Sequence, residues 1–223
     1  MFAGIVSAIG RVAAGPGALP GKLLLAHPEG WFAGPIGDSV AVSGCCLTVI
    51  DAGTEWIAVE VVPETLRRTT LGALCIDDPV NLEASLSLQA AVGGHLVSGH
   101  VDATGEIVAV SAEANAAWVE IKVPASVARY CVPQGSIAVD GCSFTLATVS
   151  DAPAGCAVIG VSVIPHTLAS TIASRYRPHA LVNLEADQIA KLVERFATPH
   201  RGRYGQGHAR GHPEVTGHAP DQR

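Results

Sequence analysis

Charged side chains are scarce in this sequence. They make up 15% of its 223 residues, with only 14 Lys and Arg against 20 Asp and Glu and a net charge of −6 with His neutral. So few cations exclude a nucleic-acid-binding surface, because phosphate neutralisation needs them in clusters. No run approaches the roughly 18 apolar residues of a membrane-spanning helix. The start, MFAGIVSAIGRV, has no basic segment ahead of its apolar residues and does not read as a secretion signal. Six cysteines, Cys45, Cys46, Cys75, Cys131, Cys142 and Cys156, form no CxxC pair, which argues against structural zinc. Most lie in apolar, strand-like runs where a free thiol packs as a small hydrophobe. Reduced thiols fit the cytoplasm, which is the expected localisation. The Gly-rich stretch 93–105 lacks the strand–GxGxxG–helix context and the lysine of a phosphate loop, and no Rossmann segment is present.

What the sequence does contain is itself, twice. Residues 37–49, GDSVAVSGCCLTV, align without a gap with 134–146, QGSIAVDGCSFTL, 97 positions on. VVPETLRRTTLGALCIDDPVNLEA (61–84) aligns with VIPHTLASTIASRYRPHALVNLEA (163–186), and GIVSAIGRV (4–12) with GHVDATGEI (99–107). Three blocks in one order define two copies of a unit of about 95 residues, which is domain size rather than a solenoid period. We expect domains at 1–95 and 96–186, each burying its own core.

Short β-branched runs separated by Gly, Pro, Asp and Asn recur through both copies: Ser39–Val42, Leu47–Ile50, Trp56–Val62, Trp118–Val123, Ser136–Val139 and Val158–Ile164. Their spacing predicts an all-β barrel or sandwich in each half. Ser43-Gly44 and Asp140-Gly141 read as equivalent tight turns. Residues 65–72 and 167–174 each suit a short helix opened by a Thr cap. After the second copy, Ile189, Leu192, Val193 and Phe196 recur at helical spacing opposite Asp187, Lys191, Glu194 and Arg195. This predicts an amphipathic helix over 187–198 whose apolar stripe suits packing on another copy of the chain. Residues 199–223, rich in Gly, Arg, Pro and His, have the composition of a disordered tail.

Differences between the copies point to chemistry. Cys46 aligns with Ser143, Ile5 with His100, and Glu64 with His166. Cys46 follows Cys45 in a strand, so one side chain faces the core and the other a pocket or solvent. Imidazole suits proton transfer near neutral pH, although a histidine in a Gly-rich stretch equally serves local hydrogen bonding. Ser39, Thr48, Thr65, Ser143, Thr145 and Thr167 form a matched set of hydroxyls. They suit a polyhydroxylated ligand bound once per domain, or simply β-propensity and turn chemistry.

These motifs together, from MFAGIV through GDSVAVSGCCLTV, PETLRRTTLG, GGHLVSGHVDATGEI, GSIAVDGCSFT, IPHTL and VNLEAD…AKLVER, resemble the riboflavin synthases of the α-chain type, built from two lumazine-binding domains. The match runs in register from Met1 to about Phe196. The resemblance implies two tandem six-stranded Greek-key β-barrels followed by a C-terminal α-helix that holds a homotrimer. It also implies a cofactor-free dismutation of two molecules of 6,7-dimethyl-8-ribityllumazine. One gives a four-carbon unit to the other, and the products are riboflavin and 5-amino-6-ribitylamino-uracil. The productive site would form where the first barrel of one subunit faces the second barrel of its neighbour.

The same resemblance implies ligand contacts at Gly4, Ile5, Val6, Ser39, Cys46, Leu47, Thr48 and Glu60, Val61, Val62, Pro63, Glu64 and Thr65 in the first barrel. In the second barrel it implies Gly99, His100, Val101, Ser143, Phe144, Thr145, Ile164, Pro165, His166 and Thr167, with Asp187 nearby. His100, Cys46, Ser143 and Ser39 would carry the catalysis. The chain departs from the family pattern at Gln134, itself an implied ligand contact near the pteridine where Lys is usual, at Phe144 for Leu, at Ala3 for Thr, and at Thr171-Ile172-Ala173-Ser174 for TTLG. A lumazine- or flavin-binding relative without turnover is the alternative. The set Ser39, Cys46, His100, Ser143, Thr145 and Asp187 favours the enzyme.

Overall fold

The computed structural model describes residues 1–197. The first repeat forms six strands: β1 (Ala8–Ala14), β2 (Lys22–Ala26), β3 (Ser39–Val42), β4 (Cys45–Ala52), β5 (Trp56–Glu60) and β6 (Pro79–Ala84). They close into an antiparallel barrel in the order β1-β2-β5-β4-β3-β6. Alternation decides which side chains fill it. In β5, Ile57 and Val59 are fully buried, while Trp56 and Glu60 face outward.

The second repeat forms β7 (Ala103–Glu113), β8 (Ala116–Val123), β9 (Ser136–Val139), β10 (Cys142–Thr145), β11 (Thr148–Asp151), β12 (Ala157–Val163) and β13 (Leu181–Ala186), in the order β10-β9-β13-β7-β8-β12-β11. Seven strands replace the expected six because the counterpart of β4 is split. In β4 the register slips at Ile50, between Val49 and Asp51. At the matching place Ala147 breaks the ladder outright: Leu146 bonds back to Gly135 and Ala147 to Gly160, each at 2.9 Å. The end strands β10 and β11 are thus joined by two residues, and the strand order around the core repeats that of the first barrel.

Helices α1 (Pro63–Arg68) and α3 (Pro165–Ser170) leave the ends of β5 and β12, and α2 (Ala125–Ala128) follows β8. The expected Thr caps are not at their starts. Val62 and Ile164 precede them with no capping side chain, and a proline opens each helix, where its missing N–H costs nothing. The threonines act one turn later. The Thr69 and Thr171 hydroxyls donate to the Thr65 and Thr167 carbonyls at 2.7 Å and accept from Leu71 and Ala173, opening the 3-10 turns Thr70–Ala73 and Ile172–Arg175.

The barrels meet about a pseudo-twofold relation that the repeat alignment makes explicit. Phe2 and Val97, 95 positions apart, exchange both main-chain hydrogen bonds. Gly44 and Gly141 pack so closely that a Cβ on either would lie 2.7 Å from the other's nitrogen. Asn183 donates to the Ser43 carbonyl and accepts from Thr70, while Asn81 donates to the Asp140 carbonyl and accepts from Ile172, all at 2.8 Å. Each buried amide therefore satisfies main-chain groups of the opposite barrel, or of the turn beside it, that would otherwise be unpaired.

Helix α4 (Gln188–Ala197) follows β13, with Asp187 accepting the Ile189 N–H at 2.9 Å. Lys191 reaches the Asp102 carboxylate at 2.6 Å, and Arg129 pairs with Glu194. The face carrying Ile189, Leu192, Val193 and Phe196 is left exposed. Thr198 and the 199–223 tail lie outside the described residues.

Candidate functional site

Cross-strand pairing gathers polar groups on the outer face of the first barrel. Ser39 lies opposite Thr48, and Thr48 opposite Glu60. Cys46, two residues before Thr48, shares that face, whereas Cys45 and Leu47 point into the core. The segment leading into the second repeat is laid across it. The Cys46 N–H donates to the Gly99 carbonyl at 2.8 Å, and Val101 packs against the first barrel's core. Glu185 fixes this leader, accepting the Ser98 N–H and hydroxyl at 2.7 Å and the Gly99 N–H at 2.9 Å. The result is a cavity of about 210 Å³ lined by Cys46, Glu64, Thr65, Arg68, His100 and Val101 among others.

The second barrel repeats the construction with the first leader. Ser143 donates its N–H to the Gly4 carbonyl at 2.8 Å, Val6 packs against the second core, and Glu83 accepts the Ala3 N–H at 2.7 Å. Ser136 lies opposite Thr145, and Ser143 opposite Ala138. Here, however, a histidine covers the seat. His95 Nδ1 is 2.7 Å from Ser143 Oγ, and its Nε2 is buried with no partner among the described residues. Burial lowers the His95 pKa from its usual value, against the pull of the Asp187 and Glu185 carboxylates. The ring is therefore neutral at pH 7 and able to hold the Ser143 hydroxyl.

Burial also sorts the thiols. It pushes Cys45 and Cys142 up to about 12 and Cys131 to about 11, so these three are core groups rather than nucleophiles. Cys46 is half-buried and faces the first cavity.

The structure corrects the grouping of the expected site residues. Gly4 and Val6, assigned to the first barrel, contact the second, while Ile5 between them lines a cavity with Glu83 and Ala84 of the first; Gly99, His100 and Val101, assigned to the second, lie on the first. His100 and Cys46 thereby come together in one cavity, while Ser143 is joined to Gly4 and His95. Leu47, Val61 and Phe144 turn their side chains into the cores, so a ligand outside meets only their main chain. Glu60, Val62, Pro63, Ile164, Pro165 and His166 are exposed, and Thr65 and Thr167 half-buried. Gln134 is exposed in a left-handed conformation (φ 65°), its N–H bonded to the Leu146 carbonyl. Asp187 caps α4 near His95. Two residues were missed, His95 and Arg68. The Gly-Gly-His run and the mismatch of Arg68 with Ser170 are the signals that could have found them.

Comparison with known proteins adds a history to this geometry. The lumazine binding domain model matches residues 3–85 and again 98–187. The riboflavin synthase of Mycobacterium tuberculosis (strain ATCC 25618 / H37Rv) is 43% identical over 199 residues, 88% of this chain and 98% of the relative. The chain belongs to the riboflavin synthase family. The family's enzyme from Actinobacillus pleuropneumoniae is 36% identical over 208 residues, covering 88% of this chain and 89% of its own length. That from Bacillus amyloliquefaciens is 39% identical over 197 residues, with 88% and 89% covered. Among solved structures, LumP complexed with riboflavin superposes with a TM-score of 0.71 at 20% identity, covering 83% of this chain and 99% of its own. At that identity the likeness speaks for the shared double-barrel fold.

Proposed function

We propose that the protein is a riboflavin synthase, converting two molecules of 6,7-dimethyl-8-ribityllumazine into riboflavin and 5-amino-6-ribitylamino-uracil by four-carbon transfer. The observation that carries this reading is the coverage of both repeats, at 36–43% identity, by synthases nearly as long as the matched region. The geometry supports it: two seats of one design suit two copies of one substrate. Holding the pair in reacting orientation is worth roughly 7–11 kcal/mol.

In each seat a hydroxyl pair on the barrel face, Ser39 with Thr48 or Ser136 with Thr145, suits the ribityl chain. His100 takes a proton from the C7 methyl of the lumazine beside it. The C–H bond breaks, its electron pair spreads into the ring, and the proton passes to the imidazole. Ser143, oriented by His95, or a water that it holds adds at C7 of the other lumazine: the O–C7 bond forms, the O–H proton passes to the His95 imidazole, and the displaced ring electron pair is taken up by the pyrimidine. Cys46, on the first seat that faces it in the neighbouring copy, is the alternative nucleophile for that same addition.

The two seats of one chain are built on separate barrels. The exposed stripe of α4 supports a homotrimer that brings the first barrel of one copy against the second barrel of another. The free thiols suit a cytoplasmic enzyme.

Incubating the purified protein with 6,7-dimethyl-8-ribityllumazine alone tests the function. Riboflavin absorbance appearing without added reductant is expected; tight binding with no conversion overturns the reading in favour of a carrier.

A further inference from the structure

Arg68 lines the first cavity with Cys46 and His100. It is the last residue of α1, and its Nε bonds Glu64 one turn back, leaving both terminal nitrogens without a protein partner among the described residues. The second repeat replaces this pair. At the matching positions it has His166 for Glu64 and Ser170 for Arg68, and Gln134 adds no charge there either. The two seats are alike in hydroxyls and crossed leaders, yet at these matched positions a permanent cation stands at only one of them.

That difference matters for a reaction between identical molecules. Resting on the synthase reading, one lumazine must lose a C7-methyl proton while the other stays neutral and electrophilic. Deprotonation breaks the methyl C–H bond, delivers the proton to His100, and leaves a carbanion whose charge spreads through the pteridine to its pyrimidine carbonyls. A fixed cation in the cavity wall lowers the free energy of that anion and not that of the neutral form.

We infer that Arg68 makes the first barrel the seat of the lumazine that is deprotonated, by stabilising the anion left behind. The second seat, with Ser170 at the matching position, then keeps its lumazine neutral for addition at C7 beside Ser143. Glu64 tempers the field, and Arg68 is 62% exposed. Water screens part of its charge, so the effect is about one pH unit rather than several.

The test follows the absorbance of bound 6,7-dimethyl-8-ribityllumazine as pH is varied, recorded by stopped flow before turnover. The wild type should show two midpoints, one for each seat. Arg68→Met raises the lower midpoint by about one pH unit and slows turnover about tenfold at neutral pH. Arg68→Lys restores most of both, and Glu64→Gln moves the lower midpoint down. A lower midpoint unmoved in Arg68→Met, with both seats occupied, overturns the proposal. Should Arg68→Met fail to fold or bind, Glu64→Gln decides alone, and an unmoved or raised midpoint there is equally fatal. The synthase reading stands or falls separately, on riboflavin formation by the wild type.

Discussion

The Cys46 N–H donates to the Gly99 carbonyl at 2.8 Å, and the Ser143 N–H donates to the Gly4 carbonyl at the same distance. Residues from opposite halves of the chain are thus paired at both seats. Each barrel borrows the leader of the other, so neither repeat builds its own seat alone. His100 stands beside Cys46 because the second repeat's leader crosses to the first barrel.

The crossing depends on backbone that only glycine tolerates well. Gly99 and Gly4 have φ of 81° and 71°, and a Cβ would lie 2.5 Å from Cys46 Cβ and 2.7 Å from Ser143 Cβ. Gly99→Ala should displace the leader and lower turnover at least about tenfold while each barrel core stays intact. Steady-state rates beside circular dichroism check this; an unimpaired Gly99→Ala enzyme would mean that the leader does not position the chemistry.

Removing the imidazole while keeping polarity isolates proton transfer. His100→Gln should reduce kcat on the order of a hundredfold with a smaller change in KM, the usual scale for losing a general base. A pH–rate profile with unchanged shape and height would remove His100 from the mechanism.

At the barrel junction, Asn183→Ala leaves the Ser43 carbonyl and the Thr70 N–H without their partner. The expected destabilisation is about 2–4 kcal/mol, from two main-chain groups stranded in a buried interface. Denaturant unfolding measures it, and a loss of under about 0.5 kcal/mol would show that water replaces the amide easily.

Asp140 sits in that junction fully buried, accepting from the Asn183 N–H at 2.8 Å and the Tyr176 hydroxyl at 3.0 Å, with the Cys142 thiol nearby. Burial pushes its carboxyl up from 3.8 to about 7, the two hydrogen bonds opposing. The native state therefore holds this proton more tightly than the unfolded chain. Its stabilising contribution is complete below 3.8 and is lost as pH rises through about 7. Asp140→Asn should flatten the Tm-versus-pH curve across that window; a curve of unchanged slope would place the titration elsewhere.

The apolar stripe of α4 should carry the assembly. Phe196 is 85% exposed in the single chain, and Phe196→Asp should convert the proposed homotrimer to smaller species by light scattering without loss of barrel structure. Unchanged mass would mean that another surface holds the copies together.

Much of this was legible before any coordinates. The three repeated blocks gave two all-β domains and the family resemblance made them barrels, the Ser43-Gly44 and Asp140-Gly141 dipeptides gave equivalent left-handed turns, and the spacing of Ile189 to Phe196 gave α4. The split of the β4 counterpart into β10 and β11 was not legible, because a register slip at Ile50 and a break at Ala147 differ by little in composition. Nor could the sequence tell which barrel each leader closes on. A leader directly precedes its own repeat in sequence, and only the Phe2–Val97 pairing, set by the junction, sends it across. The same long-range placement hid His95, whose partner Ser143 is 48 residues away.

The central claim is that two seats of one design, one on each barrel, hold two copies of one substrate for reaction with each other. Counting both sides of the reaction tests it most directly: lumazine consumed against riboflavin and pyrimidine formed by purified protein, with no reductant added. The account predicts two lumazines consumed for each riboflavin, with one 5-amino-6-ribitylamino-uracil appearing beside it. Conversion that needs an added reductant, or a one-to-one ratio of lumazine to riboflavin, would contradict it.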